Sequence, residues 1–310
     1  MRGGWSRIEP STRRAAEASA LAGASGLRFR WSGGATKIIA TILLAAVCPP
    51  LPARADQAAA AATREQTIAQ ELRSVEDPTL LKRRSWLDTE WNRFRDGSSD
   101  IQETLGVLWS WRVSSTQDWA VRLKLPYDWH LADQTAGDSD LNGLGDMNVA
   151  MGTAFRLGDS WRIGGGIDLR MPSGSQHDLS AKVWRLQEIG ALAWDATKHL
   201  TLSPSFEHNE SIAEESGASP EHYLEVFFPA TVGLPQRWAA TAKYEAKVDF
   251  QNGSTWTHSG KLAIAKELDR APVSFSLSIE KPLDGGDKTV QLNFIANWFF
   301  RSRAPSGEGK

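Results

Sequence analysis

The sequence predicts an all-β chain, a transmembrane antiparallel up-and-down β-barrel of about twelve strands. Three observations predict it. Apolar and polar residues alternate with period two over stretches longer than ordinary soluble strands, the connections alternate between short and long, and many of the 14 tryptophans in 310 residues gather at strand ends.

The first element precedes the strands. In "KIIATILLAAVCPPLPARADQ", Lys37 leads an apolar run from Ile38 to Val47, and prolines and Ala53-Arg54-Ala55 follow. A basic flank, a short apolar core and a small-x-small site describe a secretory signal peptide, with cleavage expected after Ala55; the run is too short to span a hydrocarbon core of about 30 Å. Residues 1–55 therefore read as an N-terminal extension and cleaved signal. Cleavage removes the single cysteine, Cys48, so no disulfide is expected.

That cleavage also takes away eight of the 35 basic and two of the 37 acidic side chains, leaving a net charge of −8. An acidic chain is a poor nucleic-acid binder, because that affinity comes largely from cations on phosphate. With no apolar helix left, a membrane crossing requires a closed barrel. The expected site is the bacterial outer membrane, with the barrel in contact with lipid.

Residues 56–85 are Ala-rich and then polar, with Ile68, Leu72 and Val75 at helical spacing. They read as a periplasmic lead-in, either flexible or a short helix. From Trp86 the period becomes two. The odd positions of Trp119 to Leu131 read Trp, Val, Leu, Leu, Tyr, Trp, Leu, with Ala, Arg, Lys, Pro, Asp and His between them. Runs of this length suit tilted membrane strands of roughly 9 to 11 residues.

The same alternation places strands at 86–95, 101–113, 119–131, 144–157, 161–171, 183–194, 200–208, 222–234, 238–250, 255–265, 272–281 and 289–300. The barrel thus occupies 86–300, and 301–310 form a polar tail. Short links ("SSTQD", "GDS", "DATKH", "PQR", "KELDRAP") alternate with the longest ones ("ADQTAGDSDLNG", "PSGSQHDLSAK", "NESIAEESGASPE"). Short periplasmic turns opposite long extracellular loops put both termini in the periplasm.

An aromatic girdle is expected where the wall meets the headgroups. Trp111, Trp119, Trp161, Trp194, Trp238 and Trp298 fall beside the short turns or the chain's last strand end, and Trp129 and Trp256, with Trp184, beside the long loops. The last strand, "TVQLNFIANWFF", resembles the aromatic-ended signal read by the barrel-insertion machinery. Three residues fit the pattern badly: Pro204 and Pro229 interrupt strands that have no free edge, and Glu188 stands on a Trp-bearing face.

The chemistry of the chain lies on the inward face. Arg122, Lys124, Asp128, Asp146, Asp168, Arg170, Lys243, Glu245 and Lys247 are the candidate lumen and solute-path residues. Mixed charge there suits a narrow polar pore or a wall knitted by cross-strand ion pairs. "GLGD" lacks the spacing and the Lys-Ser/Thr of a phosphate loop, and no helix follows it. No His/Asp spacing points to a metal, and no cofactor or catalytic residue is expected. An alternative function is lipid hydrolysis by His208 and Ser211 in "EHNES", and another is a non-conducting structural barrel.

"NGLGDMNVAMGTAF" followed by "GGGIDLRMPSG" is similar to the bacterial outer-membrane transporter family named for the meta pathway of phenol degradation. The resemblance rests on Gly143, Leu144, Gly145, Asp146, Pro172, Ser173 and Gly174. It implies an outer-membrane channel or transporter for small molecules, hydrophobic or aromatic ones among them. Asp146 is expected diagonally across from Arg170, as a charged constriction or as a rim pair that fixes register.

Overall fold

A computed structural model describes residues 71–131, 140–251, 253–269, 271–284 and 288–300. The expected signal peptide and polar tail lie outside the described residues. The strands are β1 (Arg84–Phe94), β2 (Ser99–Arg112), β3 (Gln117–Leu131), β4 (Leu141–Leu144), β5 (Asn148–Leu157), β6 (Trp161–Arg170), β7 (Val183–Asp195), β8 (Leu200–Leu202), β9 (Ser205–Glu214), β10 (His222–Leu234), β11 (Trp238–Asp249), β12 (Thr255–Glu267), β13 (Val273–Pro282) and β14 (Lys288–Phe299). All pairings are antiparallel, and β1 pairs with β14 from Arg84↔Phe299 onward, which closes the sheet. The fourteen strands make twelve staves, because β4 with β5 and β8 with β9 each form one.

Both interruptions have a local cause. Tyr127↔Leu144 and Lys124↔Asn148 set three residues, Gly145 to Met147, opposite two, Leu125 and Pro126. The extra residue makes a β-bulge where Pro126 has no amide to donate, although Gly145 N–H still reaches the Pro126 carbonyl at 3.1 Å. The expected strand 144–157 is therefore bent at its start, and its bulge carries Asp146 inward.

At the second break the register continues unshifted from Ala230↔Leu202 to Phe227↔Ser205. The ladder skips because Pro204 and Pro229 lack donors, while Ser203 N–H reaches the Pro229 carbonyl at 3.1 Å and Leu192 N–H the Pro204 carbonyl at 2.9 Å. The strand expected to end at 208 continues to Glu214, so the following loop is shorter than its polarity predicts. Glu188, the charge on an outward face, is paired in register with His208.

The alternation sorts side chains as a membrane wall requires. Leu105, Val107, Trp109, Val121, Leu123, Leu125, Ile163, Leu262, Ile264 and Leu277 point outward and are exposed, whereas Asp168, Asn209, Thr241, Asn293 and Asn297 on the inner face are buried. The interior is polar and the exterior apolar. No helix of the described residues is long and apolar enough to cross a membrane.

Residues 71–83 run inside one end of the barrel, the end bearing the short turns. Residues 71–73 are helical, and Leu72 packs on Ala239 and Ala265 of the inner wall. Burying that leucine contributes about 1.5–3 kcal/mol.

Candidate functional site

The lumen contains a cavity of about 570 Å³. Arg84, Trp86, Asp88 and Glu90 of β1 line one side, with Arg122, Lys124, Pro126 and Asp128 of β3 beside them. Glu207, Phe227, Pro229 and Lys243 line the opposite side, and Glu76, Asp77, Pro78, Leu80 and Leu81 line one end. Period two produces this lining, since each strand sends every second side chain inward.

Most charges of the cavity wall are paired. Arg122 Nη2 lies 2.6 Å from Asp168 Oδ2, and Lys243 Nζ 3.2 Å from Glu245 Oε2. Lys247 Nζ lies 3.4 Å from Glu225 Oε1 and 3.6 Å from the centre of the Tyr223 ring. Asp128 accepts from Gln102 Nε2 at 2.6 Å. Lys124 has no ion-pair partner among the described residues. Of the nine residues expected on the path, Arg122, Lys124, Asp128, Asp146, Arg170 and Lys243 line the cavity, whereas Asp168, Glu245 and Lys247 are not among its lining residues and pair with Arg122, Lys243 and Glu225.

Asp146 and Arg170 approach to 3.4 Å, but this pair is only part of what Asp146 does. Its carboxylate also accepts the backbone N–H of Ser173 and of Gly174 at 3.1 Å each and of Ala181 at 2.8 Å. In return Ser173 Oγ accepts the Met147 N–H at 2.9 Å. The charge is committed to folding residues 171–182 onto the strand start, and the side chain is fully buried. Gly145 beside it leaves room for a neighbouring carboxylate, because a Cβ there would stand 2.2 Å from Asp128 Oδ2.

The N-terminal segment is held by a second group of charges. Arg162 of β6 donates from Nη2 to Asp77 at 2.9 Å, from Nε to Thr79 Oγ1 at 3.1 Å and from Nη1 to Asp195 at 2.5 Å. Arg73 reaches Asp195 Oδ1 at 3.5 Å and the Lys198 carbonyl at 2.7 Å. Glu76 meets Lys261 Nζ at 3.1 Å, and Arg84 donates to the Ser74 carbonyl at 2.8 Å. Burial alone would raise the Glu76 carboxyl, yet Lys261 and Lys243 hold it below the ordinary carboxylate range. Sequence reasoning missed Arg84, Trp86, Asp88, Glu76, Asp77 and Glu207 as lining residues. The alternation that begins at Trp86 would have marked Trp86 and Asp88, whereas Glu76 and Asp77 belong to no strand and carry no periodic signal.

The eight tryptophans expected to form a girdle all stand on the outward face. Trp111 faces Trp119 across β2 and β3, and Trp161 faces Trp194 with the rings stacked at 5.5 Å. Trp238 and Trp298 lie at the same end of the barrel, and Trp129 and Trp256 at the other. His208 and Ser211, by contrast, cannot act together. Three residues apart on one strand, they point to opposite faces, and Ser211 Oγ accepts the Glu221 N–H at 2.7 Å.

With this geometry, 71% of the chain superposes on 95% of the outer-membrane channel of Pseudomonas putida F1, at a TM-score of 0.60 and 11% identity. The fold is that of an outer-membrane barrel. The NanC porin is also similar, at a TM-score of 0.49 and 14% identity over 70% of this chain and 100% of that one. The CymD monoaromatic hydrocarbon channel follows at a TM-score of 0.46 and 7% identity, over 78% and 94%. No protein-family model and no curated protein sequence matches the chain.

Proposed function

We propose that this barrel is an outer-membrane channel for small molecules with an apolar or aromatic body, oriented with its short turns, both termini and residues 71–83 on the periplasmic side. The cavity carries the reading. It is enclosed by a lipid-type wall, and it mixes ionised side chains with Trp86, Phe227, Pro126, Pro229 and Ile189, so a solute with one polar end and an apolar body finds partners for both. Its volume of about 570 Å³ lies in the range of pockets that hold small molecules. The barrel of Pseudomonas putida F1 is itself described as an outer-membrane channel, which agrees with this proposal.

The orientation rests on loop length. At the end of the barrel opposite Arg84 and Phe299, the connections from β3 to β4, from β6 to β7 and from β9 to β10 are longer than any of those between strands at the end that bears Arg84 and Phe299. The outward tryptophans at both ends then form the interfacial girdle. The resemblance to the meta-pathway transporter family belongs to this proposal as well: Gly143 to Asp146 and Pro172 to Gly174, distant in sequence, are the two pieces that Asp146 joins. Solute swelling of proteoliposomes tests the reading. Phenylalanine should enter measurably faster than a trisaccharide, and entry no faster than into protein-free vesicles would refute it.

A further inference from the structure

An acidic side chain on the outer wall of a membrane barrel needs a reason, and Glu188 has a specific one. Its Oε2 lies 3.3 Å from Nδ1 of His208, whose Nε2 stands 3.2 Å from Nε2 of His222, the first residue of β10. The imidazoles meet edge to face at 76°, and Phe250 packs against His222 with ring centres 4.8 Å apart. Glu210 is the cross-strand partner of His222 on the same face. His222 opens β10 directly after the loop of residues 215–221 at the long-loop end of the barrel, and His208 beside it is 31% exposed on the outer wall.

The hydrogen-bond inventory fixes the tautomers. A carboxylate only accepts, so His208 donates from Nδ1 and its Nε2 keeps a free lone pair. The hydrogen between the two Nε2 atoms then belongs to His222. We propose that His208 and His222 form a two-imidazole site for a divalent ion of the zinc class, with Glu188 as the positioning residue. Two nitrogens each about 2.0–2.1 Å from a tetrahedral ion lie roughly 3.3 Å apart. The observed 3.2 Å separation admits the ion without moving either strand, and His222 ligates through Nε2 as its other neutral tautomer, with the proton carried on Nδ1 instead. A carboxylate on the far nitrogen of a ligating histidine is the usual support for such a bond.

No group of three or more His, Cys, Asp or Glu side chains among the described residues could hold a metal. The protein therefore supplies two donors and water completes the coordination, so binding should be weaker than at a closed four-ligand site. The site is independent of the lumen and of the channel reading.

Zinc chloride titrated calorimetrically into chelator-treated, folded barrel in detergent tests the site, with heat-modifiable gel migration confirming the fold of each variant. The wild type should bind one Zn²⁺ with a signal lost in His208→Ala and in His222→Ala. Glu188→Gln should raise the Kd by about 10- to 100-fold, and His258→Ala should leave it unchanged. Where an alanine variant fails to migrate as a folded barrel, His208→Gln and His222→Gln must lose the signal in its place. Absence of the one-ion signal in the folded wild type, or its survival in either pair of folded variants, overturns the proposal.

Discussion

The Asp146 carboxylate accepts the backbone N–H of Gly174 at 3.1 Å, joining the bulge after β4 to the loop that leads into β7. Two more amides and Arg170 share the same buried carboxylate. Hydrogen bonds to a charged group contribute roughly 1.5–3 kcal/mol each, and a buried donor left without its acceptor loses solvation as well. Asp146→Ala should therefore destabilise the barrel by about 2–3 kcal/mol, read as a lower urea midpoint, and should open residues 171–182 to protease. An unchanged midpoint together with an uncut loop would refute this assignment.

Trp86 lies over Gly106, its directly paired neighbour on the inner face. A Cβ at Gly106 would come within 2.1 Å of the indole ring, so the ring must move, and the lumen is the space open to it. Gly106→Val is expected to lower single-channel conductance while leaving gel mobility of the folded form unchanged. Conductance equal to wild type would show that Trp86 does not border the path.

Arg162 holds residues 77 and 79 to the inner wall, and its loss leaves the 2% exposed Asp77 carboxylate without its cation. Removing one partner of a buried pair costs about 3–5 kcal/mol. Arg162→Ala should release the segment, seen as higher mean conductance and as proteolysis between residues 71 and 83. Asp77→Asn should shift both readings in the same direction but less far.

The Glu76 carboxyl sits below its ordinary range because of Lys261 and Lys243, burial acting the other way. A depressed carboxyl stabilises the docked segment fully above its undocked pKa, and that contribution is lost as pH falls through the docked value. Conductance should accordingly be steady near neutrality and rise once pH drops below the ordinary glutamate range. Glu76→Gln should remove this acid-induced rise, and a rise of equal size in the variant would assign it to another group.

The wall was legible because a closed barrel imposes a two-residue period that nothing else in the chain disturbs. Leu105, Val107 and Trp109 announce the outward face of β2 without any knowledge of their partners. The irregularities were legible as misfits only. Pro204 and Pro229 looked wrong for strands, and the structure places them at a gap in the ladder where each still accepts a neighbouring N–H. Contacts between residues 71–83 and the lumen were not legible, because Glu76 and Lys261 are 185 residues apart and no local pattern encodes their meeting. The role of Asp146 was half legible: its proximity to Arg170 follows from strand register, whereas its three amide donors depend on how a non-repetitive loop folds back.

Single-channel recording in planar bilayers tests the central claim most directly, comparing the folded wild-type barrel with a variant lacking residues 71–83. Discrete conductance steps from the wild type, with larger steps from the deletion variant, are the predicted result. No steps from either protein, with both migrating as folded barrels, would contradict the channel reading.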